Sequence, residues 1–158
     1  MTMSHFIILV VRYGLVVLFF PASALDKILN FGGAVKQAQE VFKPHALATA
    51  VIATGALVEI FMPLGILTGY ADRLAAFIMA GYCADTAILF KRFWQPGDFW
   101  KSGDSAARGL WWDFLKNFSL ASGFLLITVG IDGQAWQTFV SHPLASSHPY
   151  AEASAPSP

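Results

Sequence analysis

The sequence predicts an all-α membrane protein, a transmembrane bundle of four helices that run up, down, up and down. Its 158 residues are 56% hydrophobic and only 13% charged, and the mean hydropathy is +0.55. Soluble domains carry about 25% charged residues. The apolar residues also form four helix-length blocks without the strict alternation that is typical of half-buried β-strands. These observations exclude a disordered protein and disfavour an ordinary soluble domain.

Each apolar block is close to the length of about 20 residues that crosses the hydrocarbon core of a bilayer. The predicted spans cover residues 6–25, 46–69, 74–94 and 110–131, and they form one domain over residues 1–131. No Lys or Arg precedes the apolar part of the first block, which is also long for a signal peptide. We therefore expect the first block to remain as a span.

The connections and the C-terminal segment are more polar than the spans. Residues 34–42 of the first connection read AVKQAQEVF, which predicts a short amphipathic helix at the membrane surface. The last part of the chain is rich in Ala, Ser and Pro. We expect residues 132–158 to form a mobile tail that is dispensable for folding.

The basic residues predict the orientation of the chain. The first and third loops, with the end of the third span that adjoins the third loop, carry seven of them: Lys27, Lys36, Lys43, Lys91, Arg92, Lys101 and Arg108. The second loop carries only Arg73, and the terminal segments carry none. Because cytoplasmic loops are enriched in Lys and Arg, we expect these two loops in the cytoplasm and both termini on the outer side of the membrane.

Ionisable residues inside the spans are candidates for a site, because a charge in hydrocarbon is costly and usually pairs or serves function. Four residues lie well inside the spans, away from their ends: Arg12, Glu59, Asp85 and Lys116. Helical rise places Arg12 roughly 9–10 Å and Glu59 roughly 15 Å from the outer boundary, which predicts that they pair. Asp85 and Lys116 each lie roughly 9 Å from the inner boundary, which predicts a second pair.

These pairs allow two interpretations. They are either structural ion pairs that set helix register, or parts of a polar site for a headgroup, a proton or a quinone. Asp26 and Asp113 are alternative interfacial partners for Lys116 or Lys27. Pro63 follows Glu59 by four residues, so it either bends the helix in the ordinary way or opens a pocket beside the carboxylate.

Several functions are disfavoured by the residues. Zero net charge argues against nucleic-acid binding. The single Cys83 cannot build a multi-cysteine metal site, and His5 and His45 lie at opposite ends of the predicted bundle, which disfavours a haem between two histidines. The sequence contains none of the common nucleotide-binding, hydrolase or zinc-protease motifs, so it identifies no catalytic residue, no metal and no evident cofactor.

Three segments resemble the DoxX family of small membrane proteins: RYGLVVLFFPASALDKILNF, GALVEIFMPLGILTGYADRLAAFIM and FLKNFSLASGFLLI. The resemblance covers nearly all of residues 6–131 and implies a four-helix bundle in the cytoplasmic membrane. It departs from the family at Ala24, where Gly is usual. The signature residues that it implies are Arg12, Lys27, Glu59, Arg73, Lys116 and Asn117.

The namesakes of the family are subunits of quinone-linked enzymes such as thiosulfate:quinone oxidoreductase. The resemblance therefore implies an accessory or anchoring subunit of a membrane oxidoreductase, with a protein partner, the lipid bilayer and quinone as its contacts. The alternative is a small-molecule carrier or a membrane scaffold without redox chemistry. A carrier of this size would need to form a homo-oligomer. The candidate binding residues are Arg12, Lys27, Glu59, Asp85, Lys116 and Asn117.

Overall fold

The computed structural model describes residues 3–130, 133 and 135–151. These residues form seven α-helices and no β-strand, so the all-α class is confirmed for the described part of the chain. The helices are α1 (Met3–Val16), α2 (Phe20–Leu29), α3 (Phe31–Ala38), α4 (His45–Thr68), α5 (Asp72–Phe90), α6 (Ala106–Val129) and α7 (Ala135–Ser141). Three segments are long and apolar enough to cross a membrane: Met3–Leu29, His45–Thr68 and Asp72–Phe90.

The first predicted span, residues 6–25, consists of two helices rather than one. Residues 17–19 form a turn between α1 and α2, and Pro21 lies in the first turn of α2. Pro is accommodated there because the first turn of a helix has no intrahelical acceptor for its backbone N–H groups. The surface helix predicted at residues 34–42 is present as α3, shifted toward the N-terminus, and it packs on α4 with Val35 and Ala38 buried.

The hairpin between α4 and α5 is tight. α4 ends at Gly69, which has φ +78° and adopts the left-handed conformation that closes many helices. α5 begins three residues later and ends at Phe90, four residues before the predicted end of its span. Beyond the end of α5, Phe93 lies in the third loop and packs on Trp111 of α6, with ring centroids 4.6 Å apart.

The third loop is held by backbone hydrogen bonds at the start of α6. The Asp98 carboxylate accepts the backbone N–H groups of Ala106 and Ala107 at 2.8 and 2.9 Å. The Arg108 guanidinium donates to the carbonyls of Phe99 and Lys101 at 2.7 Å each. These bonds begin α6 four residues before the predicted span 110–131, whose last residue lies outside the described part.

The main buried core is formed by residues of α1, α2, α4, α5 and α6. α4 packs between α2 and α5, and α5 packs on α6. Phe20 and Phe124, both fully buried, bring α2 and α6 together with ring centroids 5.7 Å apart. Large apolar side chains cover much of the outer surface, including Phe6, Val11, Leu18, Leu57, Phe61 and Leu126. Such an outer surface suits contact with lipid.

Part of the predicted tail is folded against the bundle. Within it, α7 buries Phe139, whose ring lies 5.2 Å from that of Phe77. The Tyr150 hydroxyl donates to the carbonyl of Leu67 at 2.6 Å. The mobility of residues 132–158 stays a prediction, and residues 132, 134 and 152–158 lie outside the described part. The tail contacts were not predicted from the sequence.

Candidate functional site: a polar cavity between the helices

A buried carboxylate forms the centre of the site. Glu59 lies in the middle of α4 and is 1% exposed. The Lys27 ammonium of α2 donates to both carboxylate oxygens, at 2.8 and 2.9 Å. Three helices contribute to the cluster, because the Tyr82 hydroxyl of α5 also donates to Glu59 at 2.9 Å. Charge-assisted hydrogen bonds of this kind are the strong ones in proteins.

The local sequence explains how this cluster forms. Ser23 and Lys27 are four residues apart, so they lie on the same face of α2, and the Ser23 hydroxyl donates to Glu59 at 2.9 Å. Gly55 lies one turn before Glu59, and a Cβ atom there would be 3.4 Å from the Tyr82 ring. A side chain larger than Ala at residue 55 would therefore displace the tyrosine that donates to the carboxylate.

The cluster faces a cavity of about 600 Å³. Small-molecule pockets typically measure about 300–1,000 Å³ and combine apolar walls with a few polar groups. The apolar walls include Phe19, Phe20, Ile52, Phe90 and Leu120. The polar lining includes Lys27, Glu59, Tyr82, Thr86, Lys116 and Asn117. The cavity is thus suited to a molecule with an apolar body and a polar head.

The rim of the cavity carries a second group of charges. The Asp113 carboxylate accepts from Lys91 at 3.2 Å and from Lys116 at 3.4 Å. The Asn117 side-chain amide donates to the backbone carbonyl of Asp113 at 2.9 Å. The Lys116 side chain is 70% exposed, so its ammonium keeps donors that a bound molecule could use.

A separate buried ion pair lies at the opposite end of the bundle. The Arg12 guanidinium of α1 donates to the Asp72 carboxylate at 2.7 Å, and their side chains are 9% and 0% exposed. Arg12 also donates to the carbonyl of Ile66 at 2.6 Å. Asp72 accepts the backbone N–H of Ser147 at 2.8 Å and the Ser147 hydroxyl as well. The described part of the tail therefore completes this group.

A family model describes more than half of the chain. The model of the DoxX family matches residues 7–92. The chain belongs to the DoxX family. No curated protein and no solved structure matches it. The match confirms the family predicted from the sequence and identifies the chain as a membrane protein.

The structure brings four of the predicted DoxX site residues to one cavity. Lys27, Glu59, Lys116 and Asn117 all line it, and the first two lie within the matched residues. Arg12 lies instead at the opposite end of the bundle, and Arg73 donates to the carbonyl of Thr128 at 3.3 Å. The signature residues of this DoxX chain are thus divided: four line the cavity, and Arg12 and Arg73 make their contacts elsewhere.

The predicted pairing of Arg12 with Glu59 is wrong. Arg12 pairs with Asp72, and Glu59 pairs with Lys27. The depth argument placed Arg12 and Glu59 several ångströms apart along the membrane normal and relied on the reach of the arginine. Asp72, at the start of α5, lies beside Arg12 instead. Lys27 lies beside Glu59 because α2 packs on α4.

The predicted pairing of Asp85 with Lys116 is also wrong. Lys116 contacts Asp113, one of the two alternatives, whereas Asp26 only lines the cavity. Cys83 and Ala87 are buried, and each is two residues from Asp85. Because each residue turns the helix by about 100°, Asp85 lies on the opposite side of α5 from them. It is exposed on the outer surface of α5.

Three residues of these clusters were missed from the sequence. Ser23 could have been found from its spacing of four residues to Lys27. Tyr82 is a hydroxyl-bearing residue inside a predicted span, where an unpaired polar group is unfavourable. Asp72 lies between the second and third predicted spans, so the search for charges inside the spans did not include it. Among the described residues, no three His, Cys, Asp or Glu side chains form a group that could hold a metal ion.

Proposed function

We propose that this DoxX protein binds the headgroup of a membrane quinone in the cavity around Glu59. The observation that carries the proposal is the buried Lys27–Glu59–Tyr82 cluster at the base of a cavity with aromatic and aliphatic walls. A quinone headgroup presents two carbonyl oxygens on a flat apolar ring. It therefore requires hydrogen-bond donors between apolar walls, which this cavity supplies.

The donors with free capacity determine how the headgroup would bind. Lys27 already donates to Glu59 and Ser23, so it holds the carboxylate in place. Lys116 and Asn117 lie on one wall of the cavity and have N–H groups that can donate to a quinone carbonyl. Oε1 of Glu59 already accepts from Ser23, Lys27 and Tyr82, whereas Oε2 accepts only from Lys27. Oε2 would therefore receive the hydrogen bond from the hydroxyl of the reduced form.

The proposal includes four spans and a defined orientation. The 24 residues of α6 extend for about 36 Å, which is sufficient to cross the roughly 30 Å hydrocarbon core. α6 would then be the fourth span, beside the three segments that are long and apolar enough to cross a membrane. The excess of Lys and Arg in the first and third loops supports an orientation with both termini outside. Membership of the DoxX family supports the cytoplasmic (inner) membrane.

We further propose that the chain is an accessory or anchoring subunit of a quinone-linked oxidoreductase. Family membership supports this role, and the sequence contains none of the common catalytic motifs. In this arrangement a partner subunit carries out electron transfer. This chain contributes the membrane cavity that orients the headgroup.

A binding titration tests the proposal. The purified chain in nanodiscs would be titrated with decylubiquinone, and binding would be followed by quenching of tryptophan fluorescence. We expect saturable quenching that Lys116→Met weakens at least several-fold. The matched control is Lys101→Met, which removes the same charge from an exposed residue outside the cavity lining. Equal affinity in the two variants, or quenching that does not saturate in the wild type, would reject the site.

A further inference from the structure

The outer surface of α5 carries a charge without a partner. Asp85 is exposed, and among the described residues its side-chain carboxylate makes no hydrogen bond and no ion pair. It lies five residues before Phe90 at the end of α5, so it is roughly 7–8 Å from that end of the span. The short side chain of Asp cannot extend to the interface as Lys and Arg do. The carboxylate is therefore left at a depth where water is scarce.

The neighbouring helix carries a cation that is only weakly paired. Lys116 of α6 contacts Asp113 at 3.4 Å, but Asp113 is also paired with Lys91 at 3.2 Å. One carboxylate thus serves two ammonium groups. The contact of Lys91 with Asp113 also aligns the two helices, so that Asp85 and Lys116 differ in depth by about 4–5 Å. A lysine side chain can extend over that difference.

The two charges do not meet within one copy of the chain. Lys116 lines the cavity, whose α5 wall is formed by Tyr82, Thr86 and Phe90. Asp85 is one residue before Thr86 and three after Tyr82, and it projects from the outer side of α5. The chain therefore has complementary charges at similar depth on two different surfaces.

The surface around Asp85 also permits close approach of another helix. Gly81 lies one turn before Asp85 on the same exposed side, and a Cβ atom at Gly81 would meet nothing within 4 Å. Phe77 and Ile88 flank the pair and are 43% and 48% exposed. Small residues let membrane helices pack closely, and a charge at such a contact is stabilised by pairing.

We propose that this surface, Phe77–Gly81–Asp85–Ile88, binds a second copy of the chain, whose Lys116 pairs with Asp85. The copies stand in the same orientation in the membrane, which keeps the two charges at similar depth. The contact satisfies the lone carboxylate and relieves the crowding of two ammonium groups on Asp113. It shares Lys116 with the proposed function, but an ammonium has three N–H donors, so the oligomer can form with the cavity empty or filled.

Charge exchange between two variants tests the proposal. Asp85→Lys and Lys116→Asp would be purified separately in nanodiscs or mild detergent, and their mass would be measured by light scattering with fluorescence energy transfer between labelled copies. We expect the wild type to associate and each variant alone to remain monomeric, because each then faces like charges. A mixture of the two should associate again, since Lys at residue 85 of one copy faces Asp at residue 116 of the other.

The controls separate assembly from misfolding. Lys101→Asp makes the same charge change outside the spans and should associate like the wild type. Each variant should keep its unfolding temperature as a monomer within a few degrees. A monomeric wild type would overturn the proposal. So would association of either variant alone at wild-type level, association that requires a different protein, or a mixture of folded variants that stays monomeric.

Discussion

The buried ion pair of Arg12 and Asp72 should show strong energetic coupling between its partners. Asp72→Asn retains the size of the side chain but leaves the Arg12 guanidinium, which is 9% exposed, without a neutralising carboxylate. Removing one partner of a buried pair typically costs about 3–5 kcal/mol. Arg12→Met should lie near the lower end of this range, because Asp72 keeps the two hydrogen bonds from Ser147.

The double variant Arg12→Met/Asp72→Asn contains no uncompensated charge at this position. It should therefore lose less stability than the sum of the single variants, by about 2–3 kcal/mol. Unfolding in mixed detergent and SDS micelles, followed by tryptophan fluorescence, gives the free energies. The matched cycle is Lys116→Met with Asp113→Asn, whose side chains are 70% and 42% exposed and whose coupling should be below about 1 kcal/mol.

The two pairs differ in burial, so the two cycles together test whether burial determines the coupling energy. Additivity within about 0.5 kcal/mol in the Arg12–Asp72 cycle would refute the reasoning, because independent sites add to that accuracy. Equal coupling in the exposed cycle would show that burial does not determine the strength of the pair.

Three further experiments concern Asp98 in the third loop, the contact of Ser147 with Asp72 and the orientation of the C-terminus. The hydrogen bond from the backbone N–H of Ala107 lowers the pKa of Asp98 from its ordinary 3.8. The stabilisation from this carboxylate is complete at neutral pH and is lost as the pH falls through the lowered value. Asp98→Ala should therefore reduce the unfolding temperature at pH 7, by a difference that shrinks as the pH is lowered below 3.8. Ser147→Ala removes a hydroxyl donor to Asp72 and should cost about 1.5–3 kcal/mol in the same unfolding assay, and no change would show that the tail does not support the pair. A periplasm-specific reporter fused after Pro158 should be active, and activity of a cytoplasm-specific reporter would reverse the orientation.

The helices were largely predictable from the sequence because the apolar blocks set their lengths. The break in the first span was not, since Pro21 is equally compatible with a bend inside one helix and with the first turn of a new one. The end of α5 was placed four residues late because Phe93 and Trp94 are apolar. In the structure they lie in the third loop and pack with Trp111 and Phe114 of α6. Hydropathy does not distinguish an apolar residue in lipid from one in a loop cluster.

The residues of the site were predictable, but their partners were not. Position along a span gives depth, and depth identified Glu59 and Lys116 as intramembrane charges. It gives no information on rotation about the helix axis or on which helices are adjacent. Both are required to pair Glu59 with Lys27 and to place Asp85 on the outer surface. The resemblance to DoxX supplied Lys27 and Asn117, which the count of charges within spans had omitted.

Photoaffinity labelling tests the central claim most directly, because it identifies the residues that a quinone contacts in the membrane. A ubiquinone analogue with an azide on the headgroup would be photolysed with the chain in nanodiscs, and the labelled peptides would be mapped by mass spectrometry. We expect labels on the cavity wall of α6, residues 113–120, and on α2 beside Lys27. An excess of unmodified quinone should prevent them, and Glu59→Gln should reduce them. Labels confined to lipid-facing residues such as Phe61 and Leu126, unchanged by competitor, would contradict the assignment of the cavity.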